Sequence, residues 1–138
     1  MEKKKIPAKW LEEFNLNIKF IDEQHQYFFK ILKNLERNIK TRTCREHAAE
    51  IFFSLVHYAD HFIIKEEIYL KDLGYPNIDL HKEKHSKFVS MVIKMKDDFA
   101  NGNPGICMSL RDYMTEYLHE HILGYDVMTV KYLKKEGM

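Results

Sequence analysis

Apolar residues recur in steps of three and four along several stretches of the chain, which is the spacing of one face of an α-helix. The first stripe comprises Ile21, His25, Phe28, Leu32, Leu35 and Ile39. The second comprises Ile78, His81, His85, Phe88, Val92, Met95 and Phe99. The third comprises Cys107, Leu110, Met114, Tyr117 and His121. A less regular stripe of Ile51, Leu55 and Tyr58 lies between the first and the second. No strand-like alternation competes with these stripes, so the pattern predicts an all-α protein.

The order of the stripes predicts an up-down-up-down four-helix bundle with an N-terminal arm and a short C-terminal helix. The arm covers residues 1–16, the bundle about 17–123, and the C-terminal segment 124–138, all within one domain. We expect the apolar residues of the arm to dock on the bundle; they are Trp10, Phe14 and Leu16.

Local signals predict where the second helix begins and ends. Thr43 is followed three residues later by Glu46, the spacing of a capping box at a helix N-terminus. The helix should end before Gly74, which is followed by Tyr75 and Pro76.

Charge and cysteine content limit the class of protein. The chain of 138 residues carries 22 basic and 21 acidic residues, a net charge of +1, so we expect neither a nucleic acid nor a membrane surface as partner. It has no apolar run of the ~18 residues that a membrane span needs and no secretory signal at its N-terminus. We therefore expect a soluble, cytoplasmic protein. Cys107 lies on a core stripe, so we expect it and Cys44 to be free thiols rather than a disulfide.

Histidines and acids on the predicted inner faces indicate a metal site. They are His25, His61, Glu66, His81, His85, His121 and Asp126. An unpaired buried polar group costs about 1–3 kcal/mol, so five inward imidazoles need partners. A shared metal ion would satisfy several at once.

The spacing of these residues can be compared with helix geometry. His81 and His85 are four residues apart and lie about 40° apart around a helix, so both can face one ion. His121 and Asp126 are five apart and would converge only if the helix ended between them. Gly124 would permit such a break, because glycine readily adopts a left-handed conformation.

The second helix is less regular. His61 is in phase with Ser54 and Tyr58 upstream. Glu66 is in phase with Tyr69 and Leu73 downstream, so the stripe slips by one residue between His61 and Glu66. Lys65, at the position expected to face inward, is an unlikely metal partner. We interpret the slip as a π-bulge within residues 61–66, which would bring positions five apart onto one face.

The other histidines are more simply surface or core residues. His47 and His119 fall off the inner faces. His57 lies four residues before His61, so a supporting role beside the metal or an alternative ligand role remains open for it.

These motifs together resemble the hemerythrin family, in its bacterial single-domain form, over the chain from Trp10 to about Asp126. The matching pieces are Trp10, residues 21–25 (IDEQH), 61–62 (HF) with 66–67 (EE), 74–76 (GYP), His81 with His85, and His121 with Asp126. Two positions depart from the family pattern. His61 and Glu66 are five residues apart rather than four, and Tyr117 stands where tryptophan is common.

The resemblance implies reversible O2 binding at two non-haem iron ions with a solvent-derived oxo or hydroxo bridge. It implies His81, His85 and His121 on one iron, His25 and His61 on the other, and Glu66 and Asp126 as bridges. Seven protein donors and the bridge would leave one position open for a small ligand.

We expect apolar residues to cover that open position. Phe28 follows His25 by one turn and Leu118 precedes His121 by one turn, and Tyr117 belongs to the same predicted pocket.

The expected role is oxygen carriage, storage or sensing by a binding protein rather than an enzyme. The alternatives are a di-iron oxidase or peroxidase, and an iron- or nitric oxide-binding protein using the same site. Carboxylate-rich oxidase bundles use a Glu-x-x-His pair on two helices. Here only Glu116 with His119 has that spacing, and the pair lies off the inner face.

Overall fold

The computed structural model describes residues 5–137, and all regular structure in that range is helical. A short 3-10 turn at Glu12–Phe14 precedes six α-helices. They are α1 (Lys19–Lys40), α2 (Cys44–His57), α3 (Ile64–Asp72), α4 (Ile78–Ala100), α5 (Ile106–Tyr117) and α6 (Asp126–Lys135). A π-helical segment, Tyr58–Ile63, joins α2 to α3, and a second, Leu118–Tyr125, joins α5 to α6. The molecule therefore has four helical rods, as the stripes predict.

The four rods pack as a bundle around an apolar core. Helix α1 packs against α2 and α5, and α4 packs against α2, α3 and α5. The stripe residues Phe28, Leu32, Leu35 and Phe88 are completely buried, which confirms the inner faces that the periodicity predicts. Among residues 5–137, no helix is both long enough and apolar enough to cross a membrane.

The N-terminal arm docks through aromatic contacts. The Trp10 ring lies 5.2 Å from that of Phe14 and 5.7 Å from that of Phe29 on α1. Its indole N–H donates to Asn15 Oδ1 at 2.8 Å, so the polar edge of the ring is satisfied. The backbone N–H of Leu16 donates to Asp22 Oδ1 at 2.7 Å. The predicted docking of the arm is confirmed.

Helix α2 begins next to Thr43 as predicted, but the capping box does not form. The Thr43 hydroxyl donates to Asn38 Oδ1 at 2.8 Å on the preceding helix and makes no side-chain cap. The amide of Glu46 instead donates to the Thr43 carbonyl at 3.1 Å. The turn between α1 and α2 is thus held by a contact across the turn, which the local motif cannot reveal.

The two cysteines form a disulfide, so the expectation of free thiols is wrong. Cys44 is the first residue of α2 and Cys107 the second of α5, with 6.4 Å between their Cα atoms. The two helices start at the same end of the bundle and pack together there, which brings the residues face to face. The core stripe places Cys107 correctly near the interior, but Cys44 belongs to no stripe and its position depends on the tertiary packing.

Helix α6 continues the fourth rod and packs against the end of α3 and the turn that follows it. Leu133 packs with Leu70 and Tyr75 in a small second apolar cluster. The hydroxyls of Tyr75 and Thr129 lie 3.4 Å apart, and Lys134 Nζ donates to the Leu16 carbonyl at 2.6 Å. The C-terminal segment is therefore a longer and better anchored helix than the short one expected.

Candidate metal centre

Three histidines from two helical rods meet inside the bundle. His81 and His85 lie one turn apart on α4, and His121 lies in the π-helical segment before α6. Their ring centroids are 4.4 Å (His81 to His85), 5.6 Å (His81 to His121) and 5.1 Å (His85 to His121) apart. All three side chains are buried. The predicted convergence of His81 and His85 on one point is present, and His121 joins them.

Asp126 lies between this group and His25 of α1. Its Oδ1 atom is 3.3 Å from His121 Nε2, and its Oδ2 atom is 2.9 Å from His25 Nε2. The carboxylate is buried, with 2% of its surface exposed. One oxygen therefore faces each side of the centre, which is the placement that a bridging carboxylate requires.

Glu66 of α3 is the second buried carboxylate of the centre. His81 Nε2 hydrogen-bonds to its Oε1 atom, and His85 Nε2 lies 3.8 Å from the same oxygen. The amide of Gln24 donates to the other oxygen, Oε2. Glu66 thus contacts residues from both α1 and α4.

The convergence of His121 and Asp126 has a different cause from the predicted one. The helix does not end at Gly124 but continues as a π-helix over Leu118–Tyr125, and the Asp126 N–H donates to the His121 carbonyl five residues back. This wider turn brings positions five apart onto the same face. A Cβ atom at position 124 would lie 3.1 Å from the His119 carbonyl oxygen, so the glycine permits a close backbone approach rather than a break.

The predicted π-bulge of the second rod exists but begins earlier, at Tyr58–Ile63 instead of within 61–66. It does not turn His61 inward, and that part of the prediction is wrong. His61 is exposed, with its ring stacked at 5.2 Å on that of His57, which is also exposed. The inward residues of this stretch are Tyr58 and Ile63, both buried. The structure therefore brings six of the seven predicted ligands together and leaves His61 outside.

The remaining histidines stay away from the centre, as expected for surface residues. His47 Nδ1 lies 3.8 Å from Glu50 Oε2 at the surface. His119 Nε2 donates to the Lys5 carbonyl at 2.6 Å. His57 contacts Tyr27, with ring centroids 5.7 Å apart, and lies in neither cluster of metal-binding donors.

Two neighbours of the centre were not predicted from the sequence. Glu67 Oε1 accepts a hydrogen bond from His85 Nδ1 at 3.1 Å, which leaves Nε2 of that ring directed at the cluster. Such partners commonly fix the orientation of metal-binding imidazoles. Gln24 is 1% exposed and holds Glu66 through its amide. Both belong to motifs that resemble the family, residues 21–25 (IDEQH) and 66–67 (EE), and this is the sequence signal that could have identified them.

The pocket beside the centre is aromatic and contains two hydroxyls. Phe28 and Leu118, the predicted walls of the ligand pocket, are both completely buried. The Phe28 ring lies 5.3 Å from that of Tyr58 and 5.2 Å from that of Tyr117, whose ring stacks at 4.6 Å on His121. Tyr58 was missed as a pocket residue, although it lies on the inner stripe of the second helix. The pocket is therefore more polar than its phenylalanine and leucine suggest.

The charges of the centre shift the pKa values of the pocket phenols. Burial raises the pKa of Tyr58 well above its usual value, and the charges of Glu66 and Asp126 raise it further. Burial also raises the pKa of Tyr117 well above its usual value, followed by the effects of Tyr58, Asp126 and Glu66. The two hydroxyls lie near each other, but the Tyr117 oxygen makes no hydrogen bond of normal geometry within residues 5–137. Both phenols therefore keep their protons at neutral pH.

Neighbouring groups in the cluster shift the pKa values of Asp126 and His81. Burial alone would raise the pKa of Asp126, but His121 and then His25 hold it well below its usual value. Burial would lower the pKa of His81, but its hydrogen bond to Glu66 and the charges of Glu66 and Asp126 raise it. The charged forms of these two side chains are thus favoured by their neighbours.

The donor atoms fit a metal centre. Glu66, His81, His85 and His121 offer ligand atoms that all lie within 4.8 Å of one another, and so do His25, Glu66 and Asp126. Several buried atoms of the cluster lack hydrogen-bond partners among the described residues; they include His121 Nε2, Asp126 Oδ1 and Gln24 Oε1. A cation between these groups would satisfy atoms that the protein itself leaves unpaired. Imidazole with carboxylate is a donor set that suits iron.

A surface cleft of about 500 Å³ lies beside the centre. It lies between α4 and α5 and is lined in part by Lys84, Lys87, Tyr117 and His121. One edge of the cluster therefore lies close to solvent, although His121 itself is only 6% exposed.

A four-helix bundle with two adjoining groups of histidine and carboxylate donors defines a helical metal-binding protein. Comparison with known proteins narrows this class. Residues 16–127 match the model of the hemerythrin HHE cation binding domain. The chain therefore belongs to the hemerythrin family, as the sequence motifs predict.

Individual members of the family match most of the chain. A bacteriohemerythrin of Stenotrophomonas maltophilia is 30% identical over 118 residues, covering 85% of this chain and 75% of that protein. A myohemerythrin of Theromyzon tessulatum is 31% identical over 120 residues, covering 87% of this chain and 88% of that protein. A bacteriohemerythrin of Clostridium acetobutylicum is 26% identical over 121 residues, covering 85% of this chain and 94% of that protein.

Proposed function

We propose that the protein binds O2 reversibly at a non-haem di-iron centre, as a carrier, store or sensor rather than an enzyme. The observation that carries this proposal is the pair of donor groups that share Glu66 inside the bundle. Membership of the hemerythrin family supports iron as the metal and O2 as the ligand.

The proposed ligands follow from the contacts. His81, His85 and His121 would hold one iron and His25 the other, with Glu66 and Asp126 shared between them. The two Asp126 oxygens lie near His121 on one side and His25 on the other, at 3.3 and 2.9 Å, which supports the bridging role. Two ferrous ions held in this way, with a solvent-derived bridge, would supply the electrons that reversible O2 binding requires.

The protein's own residues would control access and protonation. Phe28 and Leu118 are completely buried, and in this proposal they keep water from the ligand position. Glu67 keeps the His85 ring in place through its hydrogen bond to Nδ1. With a pKa well above its usual range, the Tyr117 phenol does not release a proton at neutral pH. A ligand in this pocket would meet few mobile protons, a condition that favours reversible binding over reduction.

The test is the near-ultraviolet and visible spectrum of protein loaded with excess ferrous iron, recorded without oxygen, in air and after purging. A charge-transfer band that appears in air and vanishes on purging is the expected result. A His81→Ala variant, checked for helical content by circular dichroism, should show no such band. A band that persists after purging, or none in the loaded wild-type protein, would contradict reversible binding.

One observation favours a second candidate, a di-iron oxidase or peroxidase. Tyr58 and Tyr117 place two phenol groups in a pocket that would otherwise be apolar. Phenols donate hydrogen bonds and can be oxidised, so both could assist O2 reduction. In this case the spectrum would not recover on purging, and added reductant would be consumed continuously. Nitric oxide as an alternative ligand of the same centre would give its own band under anaerobic conditions.

A further inference from the structure

The metal-binding donors are divided unequally between the two halves of the centre. On one side, the imidazoles of His81, His85 and His121 lie with Glu66. On the other side, His25 is the only imidazole and lies with Glu66 and Asp126. Both carboxylates are within reach of both sides, so they do not compensate for the difference. Three imidazoles face one metal position and one faces the other.

The second rod of the bundle is the origin of this imbalance, because it contributes no imidazole to the interior. His61 is exposed, and its Nε2 atom lies 3.5 Å from Lys65 Nζ at the surface. The position four residues before Glu66, where the family pattern has histidine, is Phe62. The Phe62 ring is half-buried and lies 5.1 Å from that of Tyr27 and 6.2 Å from that of Tyr58.

An inward rotation of His61 would disturb the packing on the same rod. Successive helical residues are separated by about 100°, so turning His61 toward the centre would turn its neighbours by a similar angle. Tyr58 is 1% exposed, Ile63 2% and Glu66 2%, and all would be displaced from the interior. The residues that hold this stretch in its register are thus the same ones that keep His61 outside.

From this arrangement we infer that the protein binds two metal ions with very different affinities, tightly at His81, His85 and His121 and weakly at His25 and Asp126. The inference rests on the proposed di-iron function and specifies the metal affinity of each half. Loss of a group that only orients a metal ligand already costs about 10–100-fold in affinity. We therefore expect the weaker site to have a dissociation constant at least about 100-fold higher than the stronger one.

The unequal sites have a chemical consequence at the weaker metal. With His25, two shared carboxylates and a solvent bridge, a six-coordinate ion there has two positions left for other ligands, whereas the tighter ion has none. Small ligands would therefore bind at the weakly held ion. Occupancy of that ion, and with it ligand binding, would vary with the free iron concentration.

The experiment is an anaerobic calorimetric titration of the metal-free full chain with ferrous ions, repeated with cobalt(II), which is less sensitive to oxygen. Wild-type protein should bind in two steps separated at least about 100-fold, and should retain about one ion per chain after gel filtration. His25→Ala should remove the weak step and leave the tight one. Circular dichroism of each variant verifies that it is folded.

Two variants of adjacent residues separate this inference from the family expectation. Phe62→His supplies an imidazole four residues before Glu66 and should tighten the weak step about tenfold or more. His61→Ala is the matched control and should leave both steps unchanged. Two equally tight ions in the wild type, one of them lost in His61→Ala, would overturn the inference while leaving the di-iron function intact. Absence of any metal binding by the folded wild-type protein would overturn both.

Discussion

The disulfide between Cys44 and Cys107 gives a stability prediction whose size can be worked from the structure. It closes a loop between residues 63 apart in sequence and links the start of α2 to the start of α5. By the chain-entropy relation, closing such a loop in the unfolded chain is worth about 4 kcal/mol at 25 °C. Unfolding entropy near 2.1 cal/mol/K per residue gives about 0.29 kcal/mol/K for a chain of this length, so cleavage should lower Tm by about 14 °C.

Thermal denaturation followed by circular dichroism would measure this difference. Metal-free wild-type protein is compared with and without a phosphine reductant, beside a Cys44→Ser/Cys107→Ser double variant. Reduced wild type and the double variant should melt at similar temperatures, and reductant should not affect the variant. Equal melting of oxidised and reduced wild type, after thiol titration has verified reduction, would refute the entropic argument. Thiol titration of protein trapped in cells would also test the expected cytoplasmic location, because disulfides are rare in that compartment.

Three further predictions concern the centre and its pocket. Leu118→Ser should shorten the lifetime of the oxygenated protein by admitting water. The control is Leu110→Ala, a similarly buried change in the preceding helix, which should destabilise the protein by about 2–5 kcal/mol without shortening that lifetime. Equal lifetimes in the two variants would reject the role of Leu118. Tyr117→Phe should leave the free energy of unfolding unchanged, or raise it by up to about 1 kcal/mol in urea denaturation. The reason is that the lost hydroxyl has no hydrogen bond of normal geometry among the described residues. A clear loss of stability would indicate that the hydroxyl does have a hydrogen-bond partner. Because the pKa of Asp126 is held well below its usual value in the folded chain, the stability that it contributes is complete above about pH 4 and is lost as the pH falls through the folded value. The difference in unfolding free energy between metal-free wild type and Asp126→Asn should therefore shrink in acid, and a difference independent of pH would contradict this assignment.

The bundle and most of its centre were predictable because their signals are local. Each apolar stripe lies on one helix, and the four-residue step from His81 to His85 directly implies a shared face. Other features depend on backbone geometry that short motifs do not specify. The five-residue step from His121 to Asp126 was interpreted as a helix break, whereas a π-helix achieves the same convergence with continuous hydrogen bonding.

His61 shows where motif and packing disagree. The dipeptide of His61 and Phe62 matches the family in composition, but its register relative to Glu66 decides which of the two faces inward. A π-bulge shifts residues by one position, and its start at Tyr58 rather than at 61 reverses the outcome for His61. Tyr58 and Ile63, the first and last residues of this segment, are both buried, and their burial depends on contacts with the other rods. Cys44 is a similar case, because its partner is 63 residues away in sequence.

The attachment of α6 makes this helix a reporter of events at the centre. Asp126 is the first residue of this helix, and Leu133 anchors its other end against Leu70 and Tyr75. An ion that binds the Asp126 carboxylate favours the conformation in which α6 is docked, by the free energy of that contact. Cleavage of α6 by trypsin after Lys131 or Lys134, both exposed, would consequently slow as the centre fills. The rate of proteolysis at one end of the molecule would then measure metal occupancy inside it.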